Sequence, residues 1–143
     1  MAAQPDNGET FHARLPATAA SIGTLRAQLR AWLEARSVHP EEIFDIVLAC
    51  SECLTLVIEQ RPRQVALIID VDGTIDAEEL TLTTRDYGLW HDSHGRPQEN
   101  PLSLSLMRAF MDSVDLERHS DGQTITLRRR LGPMTREHGV LLI

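Results

Sequence analysis

At 143 residues, with 42% hydrophobic and 24% charged side chains, the chain is long enough to bury about two thirds of its unfolded surface in one core and too apolar for intrinsic disorder. Its net charge of -7, with one basic run at Arg128-Arg129-Arg130, opposes a phosphate backbone and argues against direct nucleic-acid recognition. All 14 basic residues are arginine, which removes Schiff-base lysines and the phosphate-loop lysine from consideration. No apolar run approaches the ~20 residues of a bilayer span. Residues 1–10 lack the basic start and apolar middle of a secretory signal, so no membrane association is expected and the cytoplasm is the expected compartment.

Residues 1–9 read as a polar, flexible tail. The alternation of residues 10–15 predicts a short strand that Pro16 ends. Ile22, Leu25, Leu29, Trp32 and Leu33 recur at helical spacing and predict a helix over 19–36, capped by Thr18 or Ser21. Pro40 suits a first helical position and Glu41 and Glu42 suit the positive end of the dipole. With the apolar series Ile43, Val47, Cys50, Leu54 and Ile58 they predict a second helix over 40–60.

A β-rich run at 65–71 is followed by the turn signal Asp72-Gly73 and a loop through Asp76, then by a strand from Leu80 toward Arg85-Asp86. Residues 87–100 hold Gly88, Gly95 and Pro97 without periodicity and read as a functional loop, a lid. Asn100-Pro101 followed by Leu106, Phe110 and Met111 predicts a helix over 101–112. Two strands, 114–118 and 124–131, flank His119-Ser120-Asp121-Gly122, and Gly132-Pro133 closes the domain before a tail over 133–143. This order predicts an α+β fold, a two-layer α/β sandwich whose mostly antiparallel sheet carries helices on one face and Thr81, Thr83, Thr124 and Thr126 on the other.

On the second helix Leu48, Glu52 and Leu56 fall at i, i+4 and i+8, a face different from the stripe that starts at Ile43. A lone helix carboxylate is most often simply solvated. Cys50-x-x-Cys53 and His91-x-x-His94 superficially form a two-Cys, two-His zinc set. The long interval between the pairs and the place of Cys50 on the apolar stripe favour buried structural cysteines instead.

Four short segments arrive in one order: 45–55 around Glu52, 83–88 with Asp86-Tyr87-Gly88, 103–112 beginning Ser103-Leu104-Ser105-Leu106-Met107, and 121–127 beginning Asp121-Gly122-Gln123-Thr124. Together they resemble the anti-sigma-factor serine/threonine kinase family of the GHKL, histidine-kinase-like ATPases with the Bergerat fold, over about residues 10–132. The resemblance implies that Glu52 is the catalytic base orienting the attacking hydroxyl. It implies that Asp86 accepts the adenine amino group and that Gly88 lets the backbone approach the base. Ser103 and Ser105 stand where the family has the glycines of its phosphate segment, and Gly122 and Thr124 match part of a Gly-Thr-Thr motif. Leu56 occupies the position of the family's Mg²⁺-holding Asn, and leucine offers no oxygen to a hard cation.

The implied protein is a bacterial anti-sigma-factor-like regulator of a partner-switching system, with ATP weakly bound, Mg²⁺ poorly held and serine kinase activity weakened or lost. Its implied partners are a STAS-domain anti-anti-sigma factor, contacted mainly through the first helix and the lid side, and/or a sigma factor, often with a homodimer as the assembly. The alternatives are an active ATP-dependent kinase that phosphorylates the STAS partner and a pure interaction scaffold. Arg96 and Arg108, near the lid, offer partial charge compensation but no metal ligand.

Overall fold

The computed structural model describes residues 10–60, 67–87 and 101–133. Along the chain run β1 (Thr10–Pro16), α1 (Ala19–Ala35), α2 (Pro40–Gln60), β2 (Ile68–Asp76), β3 (Glu79–Asp86), α3 (Pro101–Phe110), β4 (Ser113–His119) and β5 (Gly122–Arg130). The strands form one sheet in the order β1-β2-β3-β5-β4, and every neighbouring pair is antiparallel. Phe11, Ala13, Leu15, Ile69, Val71, Leu80, Leu82, Ile125 and Leu127 are buried on one face, under the helices. Because side chains alternate along a strand, His12, Arg14, Thr81, Thr83, Thr124 and Thr126 turn to the other face. The α+β, helices-on-one-face architecture expected from the sequence is the architecture found.

The helix boundaries follow from local chemistry. Thr18 stands extended at the N-cap of α1 without a side-chain capping bond. Ser21 ties the junction instead, its hydroxyl donating to the Pro16 carbonyl at 2.6 Å. At the other end Ser37 takes a left-handed φ of 65°. Its N–H donates to the Glu34 carbonyl and that of Val38 to the Leu33 carbonyl, the paired bonds of a Schellman stop formed without glycine. Val38 is buried beside them. In α2 the residues Ile43, Ile46, Val47, Cys50, Cys53, Leu54, Leu56 and Val57 are all buried, far more than a single stripe supplies. α2 is the central helix, packed against α1 on one flank and α3 on the other. The surface of α2 that carries Leu56 is therefore not offered to solvent.

Two sequence expectations are corrected in the sheet and its neighbour. The turn between β2 and β3 lies at Ala77-Glu78, both at positive φ (52° and 68°), the twist-compatible geometry of a two-residue hairpin. Asp72-Gly73 is mid-strand: Gly73 pairs with Phe11 and Leu82, and a Cβ there would sit 2.8 Å from Leu82 Cδ2. The glycine makes room for cross-strand neighbours rather than for a turn. α3 ends at Phe110 rather than at 112, because the Asp112 N–H already donates to the Arg128 carbonyl at 2.8 Å and leads the chain into β4.

The basic run is divided between the two faces by strand alternation. Arg129 points inward, paired with Asp45 at 3.3 Å and Glu42 at 3.5 Å, and donates to the Phe110 carbonyl at the end of α3 at 3.0 Å. Arg128 points outward, to Asp115 at 3.3 Å.

Cys50 and Cys53 are free and buried, and the Cys53 thiol donates to Met107 Sδ at 3.3 Å. Burial pushes the Cys50 thiol up to about 12. Burial, followed by the proximity of Cys50, pushes Cys53 well up. Unfolded thiols ionise near 9.0, so above that pH the unfolded chain binds fewer protons than the folded one and stability falls as pH rises toward 12. The slope is about 1.4 kcal/mol per pH unit for each thiol. Tyr87 acts in the same direction, because its hydroxyl is raised first by a hydrogen bond to Asp70 and then by desolvation. Urea titrations at pH 8 and pH 10 should show this loss. Native protein at pH 8 should resist a thiol reagent that modifies both cysteines once the chain is unfolded; rapid native labelling would show the thiols to be accessible.

Candidate functional site

α2 organises two groups of polar side chains. In the first, Glu52 is half-buried on the flank facing α3, and Ser103 donates its hydroxyl to Glu52 Oε1 at 2.7 Å. Ser103 lies in the first turn of α3 and is buried, with Met107 one turn further along the same face. Ser105 is exposed. Two residues along a helix is a rotation of about 200°, so once α3 begins at Pro101 the two serines cannot serve one site together. The first joins Glu52 and the second faces away.

The second group lies at the other end of α2, eight residues or about 12 Å along the axis from Glu52 to Gln60. Asp86, the last residue of β3, is fully buried, and its Oδ1 accepts the Gln123 N–H at 3.2 Å. Gly122 begins β5 at φ +147°, with its α-carbon packed against the Asp86 backbone. The Gln123 side chain reaches back to Gln60 Oε1 at 3.3 Å, which closes a ring of β3, β5 and α2. Thr124 pairs with Arg85 on the opposite face of the sheet and meets His119 at 3.2 Å, so it does not join Asp86. Gln123 and Gln60 are members that sequence reasoning missed. Nothing local marks Gln60, while the inward parity of Gln123, one residue from Gly122, was available in the strand alternation.

Outside this ring, Tyr87 turns to the open face with its ring under the Arg85 guanidinium at 4.9 Å and near that of Arg14 at 5.9 Å. Arg85 pairs with Asp121 at 3.3 Å and Arg14 with Asp70 at 3.1 Å. Arg108 is exposed on α3. Gly88, the proposed lid from 88 onward, His91, His94 and Arg96 lie outside the described residues.

Chemically, the two groups offer a half-buried carboxylate already engaged by a hydroxyl and a buried carboxylate at a strand end beside a backbone that tolerates close approach. The position four residues after Glu52 offers no ligand. Leu56 is 1% exposed and belongs to the apolar core, so these residues do not fit the Mg²⁺ of the family the sequence resembles.

An open-faced antiparallel sheet under three helices, with a glutamate midway along the central helix and an aspartate ending an inner strand, defines an ATPase-type domain of the histidine-kinase class. The family model described as the histidine kinase-like ATPase domain matches residues 15–129, and the chain belongs to that family. Among solved structures, the RsbU and RsbW domains of Rv1364c from Mycobacterium tuberculosis are similar, with a TM-score of 0.70 and 26% identity over 93% of this chain and 34% of that one. The chain thus spans about a third of the length of that protein. Among the described residues no helix is long and apolar enough to cross a membrane.

The Glu52–Ser103 bond makes a direct prediction. Ser103→Ala removes a hydrogen bond to a charged acceptor and should lower stability by about 1.5 kcal/mol. A Tm unchanged within a degree would show that the bond contributes nothing to docking α3.

Proposed function

We propose that this chain is a cytoplasmic, bacterial anti-sigma-factor-like regulator of a partner-switching system, with residues 10–132 as its functional domain between tails at 1–9 and 133–143. It binds ATP weakly and has weakened or lost Mg²⁺-dependent serine kinase activity. Its partners are a STAS-domain anti-anti-sigma factor, engaged mainly through α1 and the lid side, and/or a sigma factor, and its assembly is a homodimer. Membership of the histidine kinase-like ATPase family and the likeness to a structure that includes an RsbW domain support the regulatory class. One observation carries the weakened chemistry: Leu56, four residues beyond Glu52, is buried in the core.

In this reading Asp86, with Gly122 at its side, takes the adenine, joined by Gly88 from the sequence motif. Glu52 orients a hydroxyl, and Ser103 holds Glu52 and α3 together. Thr124 and Ser105 take part only after a rearrangement, since the first faces the opposite side of the sheet and the second faces outward. Phosphoryl transfer depends on positioning and on neutralising the phosphate charge. Exposed Arg108 supplies charge but no acceptor for a cation. The retained Glu52, half-exposed and already paired with a serine hydroxyl, favours the active-kinase alternative.

One labelling assay separates the two readings. The purified chain, a STAS-domain protein from the same cell and γ-labelled ATP with Mg²⁺ should give no more than trace serine phosphorylation, whereas robust transfer establishes the active kinase. A thermal shift with ATP reads binding independently, because a ligand at 100 times its Kd adds about 2.7 kcal/mol. Pull-down from the host that recovers neither a STAS protein nor a sigma factor would remove the partner-switching assignment.

A further inference from the structure

Where the end of α1 meets the start of β1 at Thr10 and the end of β2, the surface folds into a cavity of about 570 Å³, the size of pockets that hold small molecules. Its lining includes one cation and one anion, Arg36 and Asp76. Elsewhere in this protein opposite charges close on each other, as Arg14 does with Asp70, Arg85 with Asp121 and Arg128 with Asp115. Arg36 and Asp76 share a cavity and do not pair, either with each other or with any other described residue. The Arg36 Nε is also buried with no hydrogen-bond partner, an unmet donor that a bound acceptor would relieve.

The rest of the lining narrows the chemistry. Ala35 and Ile75 give the cavity an apolar patch. Ser37, another lining residue, holds a φ of 65° that glycine would adopt without strain, so the position keeps a hydroxyl-bearing residue at a conformational cost. The last turn of α1 contains no basic residue, and the partial negative charge of that helix end adds to the charge of Asp76. A simple anion would meet Arg36 but be repelled by Asp76 and the helix end. A simple cation would suit those two and leave the Arg36 donor unmet. A ligand that carries both charges beside an apolar body satisfies every part of the wall.

We propose that this cavity binds a free α-amino acid with a large apolar side chain, its carboxylate on Arg36, its ammonium toward Asp76 and the end of α1, and its side chain over Ala35 and Ile75. The carboxylate accepts charge-assisted hydrogen bonds from the guanidinium, the geometry for which arginine is suited. The inference is independent of the nucleotide chemistry, because none of its residues belongs to the Glu52 or Asp86 groups.

The test is a titration of the full-length chain with L-leucine and with L-phenylalanine, read in the amide resonances of residues 35–37 and 74–76. At least one of the two should shift these resonances saturably while those of the β3 and β5 ends near Asp86 stay in place. The analogues that keep one charge, 4-methylpentanoate and L-leucinamide or 3-phenylpropanoate and L-phenylalaninamide, should bind about tenfold more weakly, as should the parent amino acid to Arg36→Gln and to Asp76→Asn. Both variants should keep the parent Tm within a degree, since neither side chain is paired inside the fold. No saturable shift with either amino acid up to its solubility would overturn the proposal, and so would equal binding of the single-charge analogues. An Arg36→Gln chain with a lower Tm and unchanged binding would overturn it too, by making Arg36 a charge that serves only the end of α1.

Discussion

Replacing Leu56 with asparagine is expected to unfold part of this protein's stability rather than to restore a metal ligand. Leu56 is 1% exposed and belongs to the apolar core. Removing a buried leucine side chain costs ~2–5 kcal/mol through lost transfer energy and the cavity left behind. The amide then buries donors and an acceptor in an apolar site, at ~1–3 kcal/mol more if they go unpaired. Leu56→Asn should therefore lose about 4 kcal/mol, seen as a Tm lower by roughly 10 °C and a lower urea midpoint with an unchanged slope. Adding Ser103→Gly and Ser105→Gly puts two glycines inside α3, each costing about 1 kcal/mol in helix propensity. The fully restored motif would then stand near the limit of a domain's total stability. A Leu56→Asn chain as stable as the parent, with a new Mg²⁺-dependent rise in ATP affinity, would show that the packing around position 56 opens readily and that the leucine merely fills a usable site.

The second large effect is expected at Gly122. Its φ of +147° lies where a side chain is strained, and a Cβ would be driven onto the Asp86 carbonyl oxygen and to within 2.9 Å of Asp86 Oδ1. Both obstacles belong to the end of β3, one of them backbone, so neither can swing aside as a flexible side chain would. Gly122→Ala should cost at least about 3 kcal/mol, and it should displace the Gln123 N–H that Asp86 accepts. Any adenine-nucleotide affinity should fall with it. Gly23→Ala is the matched control. That glycine sits exposed in α1 with nothing within 4 Å of a built Cβ, so alanine should be neutral or stabilise by up to about 1 kcal/mol. Equal urea midpoints for the two alanine variants would show that the Asp86–Gly122 approach is not constrained.

Much of this protein was legible in its sequence because burial against one layer leaves a local period. The stripe Leu25, Leu29, Trp32 and Leu33 marked α1, Pro40-Glu41-Glu42 marked the start of α2, and the alternation in β1, β3 and β5 marked which residues enter the core. The hairpin within His119-Ser120-Asp121-Gly122, the buried Cys50 and Cys53, and the order of the motifs that place the chain among the histidine kinase-like ATPases needed no coordinates. What period cannot encode is the second neighbour. Whether Leu56 met solvent, a metal or the core depended on how elements distant in the chain came to pack. α3, once begun at Pro101, turned Ser103 inward and Ser105 out. Gly73 read as a turn because glycine is permissive, but its reason was the space taken by Phe11 and Leu82 on strands to either side. Gln60 and Gln123 acquired a role only when the end of α2 was brought over the ends of β3 and β5. Local physics chose the elements and their inward faces, and non-local packing decided which polar groups those elements brought together.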